Sequence, residues 1–475
     1  MKFSLPAGLA AMTLALAAGP ALADGHVYGP FPVTVKGYGG DATDSTVYTG
    51  QMARHVLHES LKKLAGKGDG TPDAELKARM MAYYKGKEAG RAIVAPKSKG
   101  AFVLAQTEVD AVGKKANLAD KTFKGAVAGW PGGRTGPEVV SFWIDKASSA
   151  RKGLDAENGY NYPQLISKFL MGAVFYNQAV DKYLDENLNA DVKPNDKPYK
   201  KGTAYTGKEH SWDEGFGYFG AAAHTMALSA SESYQIAKLG SKSDSPEAAL
   251  ALADHDKDGK VDLGREMTFA HAYYAAGYDK GGKSDYLKTI MKAFIEGRTL
   301  IAKANGEALT DDQRAELKRQ AGIIRSNWEK VIAESVFKYA GSTYKDLKKL
   351  TEIKAAGGDT TKQFAKYAKH WGELKGFALA LQAGGKDLGI VAVRLNRLIG
   401  YGPVLLDGSQ VNFIDGKGNY VRGEAPSLDE YMVHMLKVQK VIADNFGVTA
   451  RVNDATGDLS ELAKKFNAAD SAETD

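Results

Sequence analysis

Apolar residues recur at helical spacing along most of this chain, and that rhythm limits the fold more than any other feature. GQMARHVLHESLKKL (50–64) sets Met52, Val56, Leu57 and Leu61 near one face, the i, i+3, i+4 pattern of an amphipathic helix. YPQLISKFLMGAVFYNQAVDKYL (162–184) is a longer striped helix with a proline in its first turn, where the fixed φ of proline fits and its missing N–H costs nothing. SDYLKTIMKAFIEGRTLI, QRAELKRQAGIIRSNWEKVIAESVFKYA, TTKQFAKYAKHWGELKGFALALQ and SLDEYMVHMLKVQKVIADNF repeat the pattern. Ser427 and Glu430 make a capping box for the last of them. The connectors KGDGTPD, GWPGGRTGPE, KPNDKPYKKGTAYTGKE and LLDGSQVNFIDGKGNY are rich in Gly, Lys, Asp and Pro. The fold class is therefore all-α, with one small hairpin expected where Asp407-Gly408 and Asp415-Gly416 flank β-forming residues. Residues 453–475 read as a polar, alanine-rich tail, partly disordered.

The first 23 residues have a different character. Lys2 precedes the apolar run LAAMTLALAAG, and Ala21-Leu22-Ala23 precedes Asp24. This is the layout of a cleavable signal peptide, with an apolar stretch too short to span a bilayer. The expectation is an exported, periplasmic chain with no transmembrane segment. Cysteine is absent from the 475 residues, so stability in an oxidising compartment must come from core burial, which about 450 residues supply. The formal charge of +6 arises from 63 Lys and Arg against 57 acids. These charges alternate along helical patterns, the mark of a solvated surface; a nucleic-acid partner is not expected.

Two segments echo each other. WDEGFGYFGAA (212–222) and WGELKGFALAL (371–381) both read W-x-E-x-x-G-[YF]-x-x-A, with His210 and His370 just upstream. The echo predicts two pseudo-repeated helix bundles, at about 40–240 and 260–450, sharing an interface.

Between these halves lies ALADHDKDGKVDLGRE (251–266). Asp254, Asp256 and Asp258 hold positions 1, 3 and 5 of an EF-hand-like loop. Gly259 sits at the sharp turn, Lys260 offers its backbone carbonyl at position 7, and Asp262 stands at position 9. Hard carboxylate oxygens at alternate positions suit Ca²⁺ and repel one another without a cation. Position 12 is Arg265, and the acid Glu266 follows one residue late. Either Glu266 closes the loop as the bidentate ligand, or the site is weaker than a standard EF-hand; the alternative is an acidic turn without metal.

On a helix, His210, Asp213 and Glu214 share a face, as do His370 and Glu373. An imidazole with carboxylates can ligate Fe or Zn, form a buried hydrogen-bond cluster, or do acid–base work, and the spacing allows all three. His55, His58, His224, His271 and His434 read as core or surface histidines, and His255, at the second loop position, as facing solvent. His-Glu-x-x-His, G-x-S-x-G, phosphate-binding glycine loops and a cysteine nucleophile are all missing.

Taken together, YTGQMARHVLHESL, NGYNYPQLISKFLMGAVFYNQ, HSWDEGFGYFGAA, the acidic loop running into DLGREMTFAHAYYAAG, and KHWGELKGFALALQ resemble an uncharacterised bacterial helical family akin to the imelysin-like proteins. That group is iron-regulated and carries a peptidase label. It has an H-x-x-E motif on a helix; here His370 and Glu373 match it literally, whereas His210 is followed by Asp213 at that spacing and by Glu214 one later. The resemblance implies an exported all-α domain over residues 24–452, relatives tied to iron uptake, and a metal site drawn from His210, Asp213, Glu214, His370 and Glu373. The expected function is non-enzymatic binding of a metal ion or metal-containing ligand in iron acquisition, beside a structural calcium loop at 254–266. A metallopeptidase and an interaction protein holding calcium only are the alternatives.

Overall fold

In the computed structural model, residues 26–243, 245–384 and 386–462 are described. The expected signal peptide and the end of the expected tail lie outside them. The chain is mostly helical. The first half contains α1 (Thr49–Ala65), α2 (Ala74–Lys85), α3 (Val109–Val112), α4 (Gly136–Ser149), α5 (Tyr162–Leu170), α6 (Gly207–Phe219) and α7 (Ala230–Ala237). The second contains α8 (Pro246–Ala253), α9 (Ala270–Asp279), α10 (Tyr286–Lys303), α11 (Asp311–Ala355), α12 (Thr361–Leu381), α13 (Gly389–Ile399) and α14 (Leu428–Phe446). No helix among the described residues is long and apolar enough to cross a membrane.

The 45-residue α11 is the spine. At 1.5 Å rise per residue it runs about 68 Å, and α10, α12 and α14 pack along it. A capping box of Thr310 and Gln313 starts it, satisfying N–H groups that have no intrahelical partner. The expected box of Ser427 and Glu430 starts α14. All five tryptophans are buried, Trp130, Trp143, Trp212, Trp328 and Trp371, in one hydrophobic core that runs from Tyr28 to Ala455.

Local pattern and structure part at two helices. The stripe over 162–184 forms α-helix only to Leu170 and then continues as π-helical turns over Met171–Tyr176 and Gln178–Tyr183. The wider turns accompany a close approach to α12: a Cβ on Gly172 would stand 2.3 Å from that of Ala380. α6 ends at Gly220, whose φ of 81° is a left-handed stop, so Ala221 and Ala222 fall outside the helix.

Strand is confined to two small antiparallel pairs. Leu154–Asp155 (β1) pairs with Tyr160–Asn161 (β2), and Ser409–Ile414 (β3) with Tyr420–Glu424 (β4), a bulge lying between Val411 and Phe413. The second pair is the expected hairpin. Its turn is set by Asp415, whose carboxylate accepts the N–H groups of Lys417 and Asn419.

Candidate functional site

The acidic loop joins the end of α8 to the start of α9. It docks on the strand-like segment 103–106: Val261 N–H donates to Val103 (2.9 Å) and Ala105 N–H to Val261 (3.0 Å). Gly259 takes the left-handed turn, φ 84°. Glu266, 5% exposed, reaches back across the loop. Its Oε1 accepts the N–H groups of His255 (2.7 Å) and Asp256 (3.2 Å), and its Oε2 that of Asp262 (2.7 Å). Asp254 accepts the N–H groups of Asp258 and Gly259 at 3.0 and 2.9 Å.

One carboxylate oxygen from each of Asp254, Asp256 and Glu266 lies within 4.8 Å of the others, and this is the one such group of three or more potential ligands among the described residues. Two oxygens on the same Ca²⁺, each bonded at 2.3–2.6 Å, lie at most about 5 Å apart, so the spacing fits that ion. Glu266 Oε1 already accepts two N–H groups, but Glu266 Oε2 and each Asp254 oxygen accept one and keep a second lone pair for a cation. Burial raises the Glu266 carboxyl pKa, and three backbone N–H groups oppose that shift. The other loop residues stand apart from this trio. Asp258 accepts Lys260 N–H (2.8 Å), Asp262 Oδ1 is taken by the Gln106 side chain (2.7 Å) and Gly264 N–H, and Arg265 turns away to Asp44 (3.1 Å). His255 is exposed and stacks on His224, ring centres 4.9 Å apart.

The first histidine and carboxylate cluster is split by the packing of α6. Asp213 is sealed in the core. Its Oδ1 accepts Tyr28 Oη (2.7 Å) and Arg298 Nε (2.9 Å), and its Oδ2 accepts Val47 N–H (3.0 Å). Burial pushes this carboxyl up to about 6, against the Arg298 guanidinium and the Tyr28 hydroxyl that hold it down. Arg298 also reaches Glu209 (3.1 Å) and Ser45 (2.7 Å) and lies over the Phe31 ring. These charges fasten the N-terminal segment to α6 and α10. Glu214 points elsewhere and accepts Gln51 Nε2 at 2.7 Å. His210 keeps only a 3.7 Å approach to Glu214, between the rings of Tyr199 and Tyr205, and burial lowers its pKa.

The second cluster is also divided. His370 Nδ1 pairs with Asp346 of α11 at 2.5 Å, and Lys366 holds the other Asp346 oxygen at 3.0 Å. Glu373 turns inward, 6% exposed, and its Oε2 has no hydrogen-bond partner within the protein. Neither cluster gathers three ligand atoms. Helices α6 and α12 both pack on the 162–183 helix, but His210 and Glu214 face Tyr199, Tyr205 and Gln51, whereas His370 faces Asp346 of α11.

His55, His58 and His271, read from the sequence as core or surface histidines, are all buried. His55 and His58, one turn apart on α1, bond the carbonyls of Gly217 and Ser167, both at 3.0 Å. His55 Nδ1 and both ring nitrogens of His271 are buried without hydrogen-bond partners, and His58 Nδ1 stands 3.4 Å from Glu59 Oε1. Burial lowers His55 to about 3, helped by the nearby His58, and lowers His271 as well. Lys168, 3% exposed, lies over the rings of Tyr274 and Phe377 and is pushed well below its ordinary pKa by burial and then by Lys62. The His55-x-x-His58-Glu59 spacing on one helix face was the signal available in the sequence.

A family model described as a domain of unknown function, DUF4856, matches residues 144–273. The matched stretch holds both WDEGFGYFG and the acidic loop. No curated protein and no solved structure matches the chain. The comparisons therefore support an uncharacterised domain family, and none of them links the chain to the imelysin-like proteins.

Proposed function

We propose that the chain is an exported, non-enzymatic helical protein whose loop 254–266 binds Ca²⁺ as a structural clip. The observation that carries this reading is the convergence of Asp254, Asp256 and Glu266 oxygens to within 4.8 Å at EF-hand-like spacing. A cation there would neutralise repulsion among the three carboxylates and tie α8, the segment 103–106 and the start of α9 together. Sites of this kind outside the cytoplasm work at Kd values of about 10⁻⁴–10⁻³ M, because the surrounding calcium is abundant.

Calorimetric titration of the EDTA-treated protein with Ca²⁺ tests the reading, followed by thermal unfolding at about 10 mM Ca²⁺, well above such a Kd. One Ca²⁺ per chain, a raised Tm, and loss of both effects in Asp254→Ala/Asp256→Ala are expected. An unchanged Tm with no heat of binding overturns it.

A second reading, an iron or zinc ion serving metal acquisition or peptidase chemistry, rests on the His210–Glu214 approach of 3.7 Å. Asp213 is committed to Arg298 and His370 to Asp346, so such an ion would have two protein ligands from this set. Elemental analysis of natively purified protein separates the readings. Stoichiometric Fe or Zn lost in His210→Ala supports the second, and metal-dependent cleavage of a peptide library is required in addition for a peptidase.

A further inference from the structure

Folding collects the chain's excess lysine. A groove of about 870 Å³ runs between α1, the segment 94–99, the end of α7 and residues 267–273, and its wall sets seven Lys and Arg side chains against Glu59 as the sole acid. A second lobe of about 610 Å³ continues past Tyr273, lined by Lys280, Lys283, Lys338 and Arg451, of which Arg451 pairs with Asp454 behind the wall (2.8 Å). The two lobes together set eleven Lys and Arg side chains against one acid, so positive charge is concentrated here. The even spread of charge along the sequence does not survive in three dimensions.

Among the described residues, Lys62, Lys63, Arg79, Lys97, Lys99 and Lys238 form no salt bridge. At the junction of the lobes, the ammonium groups rest on ring faces instead of carboxylates. Lys238 lies 4.5 Å from the Tyr273 centroid and Lys280 lies 4.0 Å from that of Tyr234. A cation over a tyrosine face keeps its full charge, and a cleft lined by one sign focuses the field on whatever enters it. Two observations point to more than a bare anion. Thr268, 1% exposed, lies in the wall with a hydroxyl that has no partner within the protein. Glu59, which Lys62 and His58 hold ionised against the effect of burial, would repel an anionic group but accept a hydroxyl. Either lobe alone is the size of a small-molecule pocket, about 300–1,000 Å³, and together they suit an extended ligand.

We propose that this groove binds an acidic oligosaccharide: hydroxyl-bearing rings that carry carboxylate or sulfate groups, with the anions on the lysines and hydroxyls on Glu59 and Thr268. The proposal does not rest on the calcium reading, and its test is run in EDTA, so the two fail separately. Calorimetric titrations of the protein use four probes: hexagalacturonate, a heparin-derived sulfated hexasaccharide, maltohexaose and a thymidine hexanucleotide. At least one acidic hexasaccharide is expected to bind at least about tenfold more tightly than maltohexaose or the oligonucleotide, with affinity falling as salt rises. The ratio between the carboxylated and sulfated sugars identifies the source of the anion. Lys62→Glu/Lys238→Glu should weaken that binding by at least about tenfold while Lys417→Glu, on the β3–β4 turn, leaves it unchanged. Should the first pair unfold the protein, Lys97→Glu/Lys99→Glu, both exposed, takes its place. No binding of either acidic sugar, equal binding of maltohexaose, or equal or tighter binding of the oligonucleotide overturns the proposal, as does wild-type affinity in the folded charge-reversal variant; the oligonucleotide result would indicate a nucleic-acid strand instead.

Discussion

The echoing helices α6 and α12 share a packing design and differ in their chemistry. Trp212 and Trp371 are both fully buried, and each indole N–H donates at 2.8 Å, to the Phe294 carbonyl and to Tyr431 Oη. Five residues on, Gly217 and Gly376 occupy the same role: a Cβ on Gly217 would stand 2.8 Å from the Cβ atoms of Tyr48 and Gln51, and one on Gly376 2.6 Å from that of Lys168. The polar positions diverge. Asp213, next to Trp212, meets a buried arginine, whereas Gly372 follows Trp371. Phe216 fills the core where α12 has the buried Lys375, whose Nζ donates to the Gly400 carbonyl at 2.6 Å. The upstream histidines are out of register by one residue, about 100° around a helix, and so take unrelated partners. A repeated pattern of Trp and Gly transmits a packing seam; it does not transmit a ligand set.

The largest expected effect breaks this comparison on the α6 side alone. Arg298→Ala strands Asp213 and Glu209 as unpaired buried acids, and removing one partner of such a network costs about 3–5 kcal/mol. Urea unfolding should show that loss, and a change below about 1 kcal/mol would mean the network is solvated. Next come the two glycines. Gly217→Ala and Gly376→Ala should each destabilise by about 1–3 kcal/mol through overpacking, despite the better helix propensity of alanine. If either variant gains stability, the shared seam is not tight.

A further pH effect should appear on the α12 side. Burial drives Lys375 down to about 7 from an ordinary 10.5. Between those values the unfolded lysine keeps its proton and the folded one has lost it, so the unfolded state binds more protons and stability rises with pH. The slope from Lys375 is at most about 1.4 kcal/mol per pH unit. Comparing wild type with Lys375→Met over that range checks it; identical slopes would show that Lys375 does not titrate there. The smallest effect belongs to His370→Ala. Lys366 and Gln363 still hold Asp346, so the expected loss is under about 1 kcal/mol, and a larger one would give the His370–Asp346 pair a role that its partial exposure does not predict.

The parts of the candidate site that were legible are those built from neighbours in the chain. The loop places Asp254, Asp256, Gly259 and Glu266 within 13 residues, so spacing alone exposes its design, including the late acid at position 13. The helices carrying His210 and His370 were legible for the same reason. Their partners were not: Arg298 meets Asp213 across 85 residues and Tyr28 meets it across 185. The lysine groove was hidden more completely, because Lys62, Lys97 and Lys238 belong to three separate segments whose local charge is unremarkable.

By itself, the sequence determined the helices, their caps, the hairpin turn and the carboxylate-rich loop, since hydrophobic period, capping and turn chemistry act over a few residues. Tertiary structure decided which charges are buried together, which imidazoles lose their partners and where unpaired lysines collect. Those outcomes depend on burial and on pairings distant in sequence, and no local pattern encodes the neighbours that a folded core supplies.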